Sequence, residues 1–538
     1  MKTHKDYPLA QTGFFTWLVN RSWNPSRGRR YRHSRTLIAA SVMATSLLFT
    51  PPLFGWKTSA RSFVCDISQI TSTTGGANGS IALNAGGTRI AFLSNRDFTG
   101  DNTDANFEIF LYDVPMANFT QVTDTTGDLN FVNFDLTISG DGERLAFTSS
   151  LNPTGGNADG NIEIFFFDTA TNNFTQVTHT TGFGENDAPS ISDDGTCLAL
   201  RSSYDLTGGN ADGNHEIFFY DAPGNTFLQV TNTTGINNFA PAISGDFTHI
   251  AFESLHNLTG TNADGNFEIF LFNLDDGTLA QVTDTTGGGF NSGPALNGDA
   301  TRLAFRSNRN LTGANADAND EIFLYDSTDG ISQVTNTTGQ GGFFANFASS
   351  ISTDGTRIAL LSNRDLTGGN SDANDEIFLY DTQSNSFTQI TDTTGEFNDV
   401  PKLSGNGTRI AFSSNRNLTG GNADINFEVF LTTCRPDSDG DGIPDDSEPD
   451  TVADVVITLP DAHFNGQGNK NAFLNRLDAI QQLILAGNID QAIRELENLR
   501  RRVDGCGSMA DNNDWITDCA SQLQVRTLIG MLIANLSS

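Results

Sequence analysis

A mainly β fold, a seven-bladed β-propeller closed by its N- and C-terminal strands and followed by a small α-helical domain, is what this 538-residue sequence predicts. Two repeated markers and one change of period carry that expectation. Gln-(Val/Ile)-Thr begins at Gln69, Gln121, Gln176, Gln229, Gln281, Gln333 and Gln389, at separations of 52 to 56 residues. Glu-(Ile/Val)-Phe begins at Glu108, Glu163, Glu216, Glu268, Glu321, Glu376 and Glu428, so seven copies are counted twice over. Such a period indicates units that bury their faces only against neighbours. Beyond residue 450 the apolar residues fall at helical spacing instead. Composition agrees: 41 Phe against 7 Tyr, 53 Gly and 17% charged residues fit β structure and exclude a coiled coil or a disordered polyelectrolyte.

The first 61 residues hold 10 Lys and Arg and one acid, and Leu37 to Phe49 is a short apolar or small-residue stretch before Pro51-Pro52. Residues 1–60 read as an export signal with small residues for cleavage at Thr58-Ser59-Ala60, or as a signal anchor if Leu37 to Trp56 spans a bilayer. The protein is therefore expected to be exported, whether periplasmic, secreted or at the cell surface, where disulfides persist. The remaining chain has 20 basic and 63 acidic residues, a balance of −43. That charge repels phosphate backbones and anionic head groups, which excludes nucleic acid and, beyond the leader, membrane as partners, and it favours cations.

Each copy contains four short runs rich in β-branched and aromatic residues; in the sixth interval they are 349–352, 356–362, 376–380 and 386–391. Asp354-Gly355 supplies a tight turn between the first two, and Ile377-Phe378-Leu379-Tyr380 is apolar throughout, as a strand covered on both faces requires. Ser139-Gly140-Asp141-Gly142 with Arg144-Leu145-Ala146-Phe147, and Ser352-Thr353-Asp354-Gly355 with Arg357-Ile358-Ala359-Leu360, resemble the TolB-type, WD40-like propeller repeat. The resemblance covers residues 63–434 and implies a ring of four-stranded blades. The family's usual Pro after Ser is absent and the second-to-third strand connection is longer, so no partner is carried over.

The repeats open with only a last strand, Phe63 to Thr71, and close after a third strand, Glu428 to Thr433. These pieces must complete one blade together. Aligned on an intact unit, Cys65 and Cys434 fall at the tip where other blades have a hairpin turn, which predicts a Cys65–Cys434 disulfide in place of the missing peptide connection. Cys197 takes a place in the Arg-Ile-Ala-Phe slot and reads as an unpaired, packed thiol.

Between its second and third strands every copy carries Asn-x-Asp-x-Asn-x-Glu, as in Asn102, Asp104, Asn106 and Glu108. Alternating oxygens on a curled loop suit one Ca²⁺ per blade, but two carboxylates per loop are few. Asx turns followed by a Glu that opens a strand are the preferred reading. On the opposite connection Asn78, Asn133, Asn186, Asn238, Asn291, Asn346 and Asn398 recur, which indicates capping of backbone groups ahead of ligand contact. The residues after them differ between blades, and they start an inner strand that faces the central funnel. Asn133, Phe134, Asp187, Phe239, Phe347 and Asp399 are therefore the candidate ligand-binding residues, with plain packing of the Phe rings as the competing reading.

Residues 435–459 form an acidic linker in which Asp437, Asp439, Asp441, the Ile443 carbonyl, Asp445 and Glu448 occupy the ligand places of a calcium loop, with Gly442 at the sharp turn. Ca²⁺ is the cofactor this implies. Pro436, Pro444 and Pro449 oppose flanking helices, and the loop resembles those of thrombospondin type 3 repeats more than an EF-hand. In residues 460–538, Phe473, Leu477, Ile480 and Ile484 precede Gly487-Asn488, and Ile489, Ile493, Leu496, Leu499 and Val503 follow it, before a third amphipathic run from Trp515 to Leu536. Asn471-Ala472-Phe473-Leu474 and Leu477-Asp478-Ala479 resemble the FIMAH helical domain of secreted bacterial proteins, which implies no chemistry. Cys506 and Cys519 flank the last connection and are expected to pair.

No Gly-x-Ser-x-Gly elbow, His-Glu-x-x-His helix, phosphate-binding Gly-Lys loop or dinucleotide fingerprint occurs. The leading expectation is an exported, monomeric, non-enzymatic binding or scaffold protein that recognises a protein or glycan of the cell envelope through a propeller face. A hydrolase or lyase with a site assembled in the central funnel stands second, because separate blades can each contribute a group. A structural cell-surface protein stands third.

Overall fold

The computed structural model describes residues 62–537 apart from 127–132, 236, 340–345, 396, 400, 438–443 and 505–513. The leader expected over residues 1–60 lies outside the described residues. Among the described residues, twenty-eight strands form seven antiparallel sheets of four. In the sixth blade the order from the axis outward is Asn346–Ile351, Arg357–Ser362, Glu376–Asp381 and Ser386–Gln389. The seventh blade is composite. Ser62–Gln69 pairs with Glu428–Asp437, which pairs with Arg409–Ser414 and then Lys402–Leu403. In that register Cys65 stands opposite Cys434, and a disulfide joins them across 369 residues. The predicted closure of the ring is present and covalent.

The abundance of Phe has a packing cause. In five blades a second-strand Phe stacks on the third-strand Phe directly opposite, from Phe92 on Phe110 to Phe412 on Phe430, with ring centroids 5.6–6.0 Å apart. All ten rings are fully buried, and each pair adds about 0.5–1.5 kcal/mol beyond its area. The Arg of the repeat ties blades together: Arg89 Nη1 donates to the Gly142 carbonyl of the next blade at 2.7 Å, and Arg409 Nη1 reaches Gly87 across the closure at 2.8 Å. Gly142 has φ +77°, and a Cβ there would stand 2.9 Å from Arg89 Cδ, so the Asp-Gly turn serves both the left-handed backbone and the passage of the arginine. Cys197 replaces that Arg in the third blade; it is buried and outside any disulfide, and burial pushes its thiol up.

The repeated motifs converge on one buried carboxylate per blade. Glu376, 1% exposed, accepts the Thr393 N–H (2.6 Å), Thr393 Oγ1 (2.7 Å), Asn374 Nδ2 (2.8 Å) and Thr391 Oγ1. Asn398 of the following blade donates to the same carboxylate at 3.2 Å and to the Asp375 carbonyl at 2.7 Å. At the closure, Glu428 is held by Thr71 and Thr73 of the opening segment and by Asn78 of the first blade. A buried carboxylate is tolerated when neutral donors satisfy it. The ring of asparagines thus joins each blade to the next.

Among the described residues four α-helices follow: α1 (Asp450–Thr458), α2 (Gln467–Leu485), α3 (Ile489–Arg500) and α4 (Cys519–Leu536). They enclose a core that includes Phe473, Leu477, Leu496, Val525 and Ile529. Helix α1 lies in the stretch read as linker. Pro449 stands at its N-cap, where a missing N–H costs nothing, and its carbonyl accepts the Ala453 N–H at 2.9 Å. Cys519 is disulfide-bonded, and its expected partner Cys506 lies outside the described residues. Among the described residues no helix is long and apolar enough to cross a membrane.

Candidate functional site

The inner strands converge at one end of the axis on a complete ring of backbone hydrogen bonds. Asp193 N–H donates to the Gly245 carbonyl, Gly298 to Thr353, Thr353 to Gly405 and Gly405 to Ala85, at 2.8–3.0 Å, and the circuit continues through Gly140. A Cβ on Gly245 would stand 2.4 Å from Asp193 Oδ2, so the small residue makes room for that carboxylate on the axis. A cavity of about 130 Å³ remains, lined by all seven blades. Burial, with Asp194, Asp141 and Asp246 nearby, pushes the Asp193 carboxyl up. This end is narrow and acidic.

At the other end the inner strands begin with a bulge. Ser80, Asp135, Ala188, Ala240 and Gly293, each third in its strand, have φ between +48° and +64°, and the register slips at the same place. A bulge re-aims side chains, and here it sits at the mouth of the funnel. Asp135 reaches solvent, yet the funnel walls strip water from its carboxyl and, with Asp187 beside it, push it up. Its Oδ2 accepts the Ala188 N–H at 3.2 Å. Asp187 forms a two-pronged pair with Arg201: Nε donates to Oδ1 at 2.7 Å and Nη2 to Oδ2. His215 Nε2 lies 3.3 Å from Glu185 Oε2 and holds the Glu185 carboxyl below the usual range. Among the described residues, Glu185, Asp187 and His215 are the one group whose ligand atoms are close enough, within 4.8 Å, to hold a metal ion. Both Asp187 oxygens are engaged by Arg201, whose charge opposes a cation there.

Next to this network lies Glu253, 8% exposed, whose Oε1 accepts the Gly293 N–H of the neighbouring blade at 2.6 Å. Burial pushes its carboxyl to about 7, against the pull of that N–H, Arg306 and Arg201. Arg306 is packed on two rings, 4.6 Å from the Phe290 centroid and 4.3 Å from that of Phe347, while Arg201 lies 5.4 Å from the Phe239 centroid. On the seventh blade the funnel walls lower the half-buried Lys402 ammonium, with Asp399 acting the other way. From the third blade to the sixth, arginines therefore pack on Phe faces at the mouth.

Glu253 also makes stability depend on pH. Below the unfolded value of 4.5 both states bind its proton, whereas between 4.5 and about 7 the unfolded chain releases it and the folded chain retains it. Stability should fall by about 3 kcal/mol as pH rises through that window. Urea unfolding at the two ends of the window is expected to show this loss in the parent and not in Glu253→Gln.

The residues expected from sequence fall into two groups. Phe239, Phe347 and Asp187 contact the two arginines at the mouth. Asn133 is 3% exposed and spends its side chain on Ser149 and the Phe107 carbonyl. The carbonyl of half-buried Phe134 accepts Thr148 Oγ1, and the Asp399 carboxylate accepts Ser413 Oγ at 3.2 Å. Sequence reading overlooked Arg201, Glu253 and Arg306. Their signal was present: they share the slot after Ala-Phe or its equivalent that Leu93, Thr148, Leu361 and Ser413 fill in other blades. Of the linker set, Asp437 and Glu448 are buried and Asp445 opens a short 3₁₀ turn, while Asp439, Asp441 and Ile443 lie outside the described residues.

No protein-family model and no curated protein matches this sequence. Several solved structures are similar to it. An oligogalacturonate lyase from Vibrio parahaemolyticus is 13% identical over 70% of this chain and 97% of its own, with a TM-score of 0.47. An oligogalacturonate lyase in complex with manganese is 14% identical over 69% and 96%, also at 0.47. The β-propeller domain of the Trilobed protease from Pyrococcus furiosus is 11% identical over 63% and 91%, at 0.42. At such identity and overlap none of their activities transfers to this chain.

Proposed function

We propose that the mouth of the funnel is an acid–base site and that the protein is an exported propeller enzyme, a hydrolase or lyase acting on a glycan or protein chain of the cell envelope. The observation that supports this reading is Glu253: a carboxyl pushed to about 7, positioned by the Gly293 N–H and flanked by Arg201 and Arg306. Such a group is both acid and base near neutral pH, and perturbed carboxyls of this kind concentrate at functional sites. The arginines suit an anionic substrate group or developing oxyanion, and the Phe faces suit a sugar ring or apolar side chain.

A non-catalytic recognition module is the second reading. The Asp187–Arg201 pair favours it, since those two charges are spent on each other. Purified full chain tested on envelope polysaccharides and peptides distinguishes the two. Turnover with an ionisation near pH 7, reduced about 10²- to 10⁴-fold in kcat/KM by Glu253→Gln, supports the enzyme. Binding without turnover, unchanged in that variant, leaves the recognition module.

Export, a monomeric state, the TolB-type assignment of the blades and the FIMAH assignment of the helices belong to the same proposal and rest on the motifs given above. The Cys65–Cys434 bond fits an oxidising compartment. In the linker, Asp437, Asp439, Asp441, the Ile443 carbonyl, Asp445 and Glu448 would hold Ca²⁺. Asp437 and Glu448 are 3% and 4% exposed, and buried carboxylates suit a hard cation.

A further inference from the structure

We propose that each of the seven Asn-x-Asp-x-Asn-x-Glu loops is a Ca²⁺ site whose protein ligands are the two Asn side-chain oxygens and the Asp carboxylate, with the Glu excluded. The exclusion follows from the hydrogen bonds of the Glu, whose oxygens are taken by threonines and by asparagine amides in the hub of each blade. The two asparagines behave differently. Asn315 and Asn319 are each 1% exposed, yet neither Oδ1 has a hydrogen-bond partner. Their orientation is set by the other half of the amide. Asn315 Nδ2 donates to the Asn319 carbonyl at 2.9 Å, and Asn319 Nδ2 to the Thr337 carbonyl at 3.1 Å, contacts that only a nitrogen can make.

The same two buried oxygens stand without a hydrogen bond in six blades. A natural protein leaves few such groups, and a repeated set calls for a repeated occupant. The orphaned atoms are all acceptors, and the amide nitrogens of the loop are already spent on carbonyls. A water bridging two of these oxygens would use both its hydrogens and find no side-chain amide of the loop to satisfy its own lone pairs; a cation has no such need. An Asp stands between the two asparagines in every copy and supplies charge that a water site does not require. In the fifth blade its Oδ2 accepts the Gly339 N–H at 3.1 Å, and Ala318 beside it has φ +55°, which curls the loop around the asparagine oxygens. Amide oxygens with one carboxylate on an irregular loop favour Ca²⁺ over Mg²⁺, which demands closer octahedral order. So few charges place the affinity at roughly 10⁻⁴ to 10⁻³ M, the range of extracellular modules.

The test is metal analysis of the full chain, stripped with EDTA and dialysed against Ca²⁺ at about ten times the weakest dissociation constant of that range, with excess Mg²⁺ to suppress diffuse binding to the acidic surface. An Asp439→Ala/Asp441→Ala variant removes the linker loop from the count, so failure there and failure in the blades read out separately. About seven Ca²⁺ per chain are expected in that variant, one for each motif copy. Adding Asp317→Ala, an exposed side chain whose loss leaves the hub intact, should lower the count by one. No more than one Ca²⁺ per parent chain and none in the linker variant, or a count unmoved by Asp317→Ala, would overturn the proposal and assign the asparagine oxygens to water.

Discussion

Cys65→Ser in the full chain is expected to cost up to about 5 kcal/mol, because the bond it removes closes a loop of 369 residues. The damage should be local before it is global. Without the disulfide, the opening strand Ser62–Gln69 is held to Glu428–Asp437 by ladder hydrogen bonds and by the grip of Glu428 on Thr71 and Thr73. It becomes an outer strand with no covalent link to its neighbour. Denaturant unfolding should show the loss of stability, and hydrogen exchange should show residues 62–69 opening first. Cys197→Ser, which alters no disulfide, is the control. An unchanged midpoint in Cys65→Ser would mean that the hub and the Arg409–Gly87 link close the ring unaided.

Glu376→Ala is the second large effect, at about 3–5 kcal/mol. The carboxylate satisfies buried donors from two threonines and from asparagines of two adjacent blades; alanine removes the acceptor of the Thr393 N–H and of both threonine hydroxyls, while Asn374 and Asn398 keep their carbonyl partners. Glu376→Gln should fall between, since one oxygen survives while the new amide faces the Thr393 N–H. The same substitution at Glu428 should cost more than at Glu376, because there the hub also anchors the opening segment. Equilibrium unfolding of these variants gives the ranking. A loss below 1 kcal/mol for Glu376→Ala would show that water replaces the carboxylate freely.

The seven copies, four strands in each, the composite blade and the cysteine pair were all legible in sequence because each is written within one period or at its two ends. Gln389-Ile390-Thr391 and Glu376-Ile377-Phe378 repeat since each blade must build the same local bonds, and a repeated local need leaves a repeated local mark. The recurring asparagines were read as caps, and Asn398 does cap the Asp375 carbonyl. That it also reaches a glutamate on the preceding blade was not legible, because the two are neighbours only after the sheets stack. Pro449 misled in the opposite direction: the argument that it blocks a helix holds for an interior position and not for the start of α1.

The chain by itself determined how many blades form, which strands join its ends and where the apolar faces lie, since these follow from short-range periodicity and turn chemistry. Tertiary structure alone decided the mouth of the funnel. Arg201, Glu253 and Arg306 lie on three successive blades, about 50 residues apart in sequence, and each occupies a slot that alternation assigns no special role. Glu253 acquires its raised carboxyl only because stacking withdraws water from it, and the next blade's Gly293 N–H, 2.6 Å away, offsets that rise only in part. Desolvation is a property of the assembled ring, and no single repeat contains it.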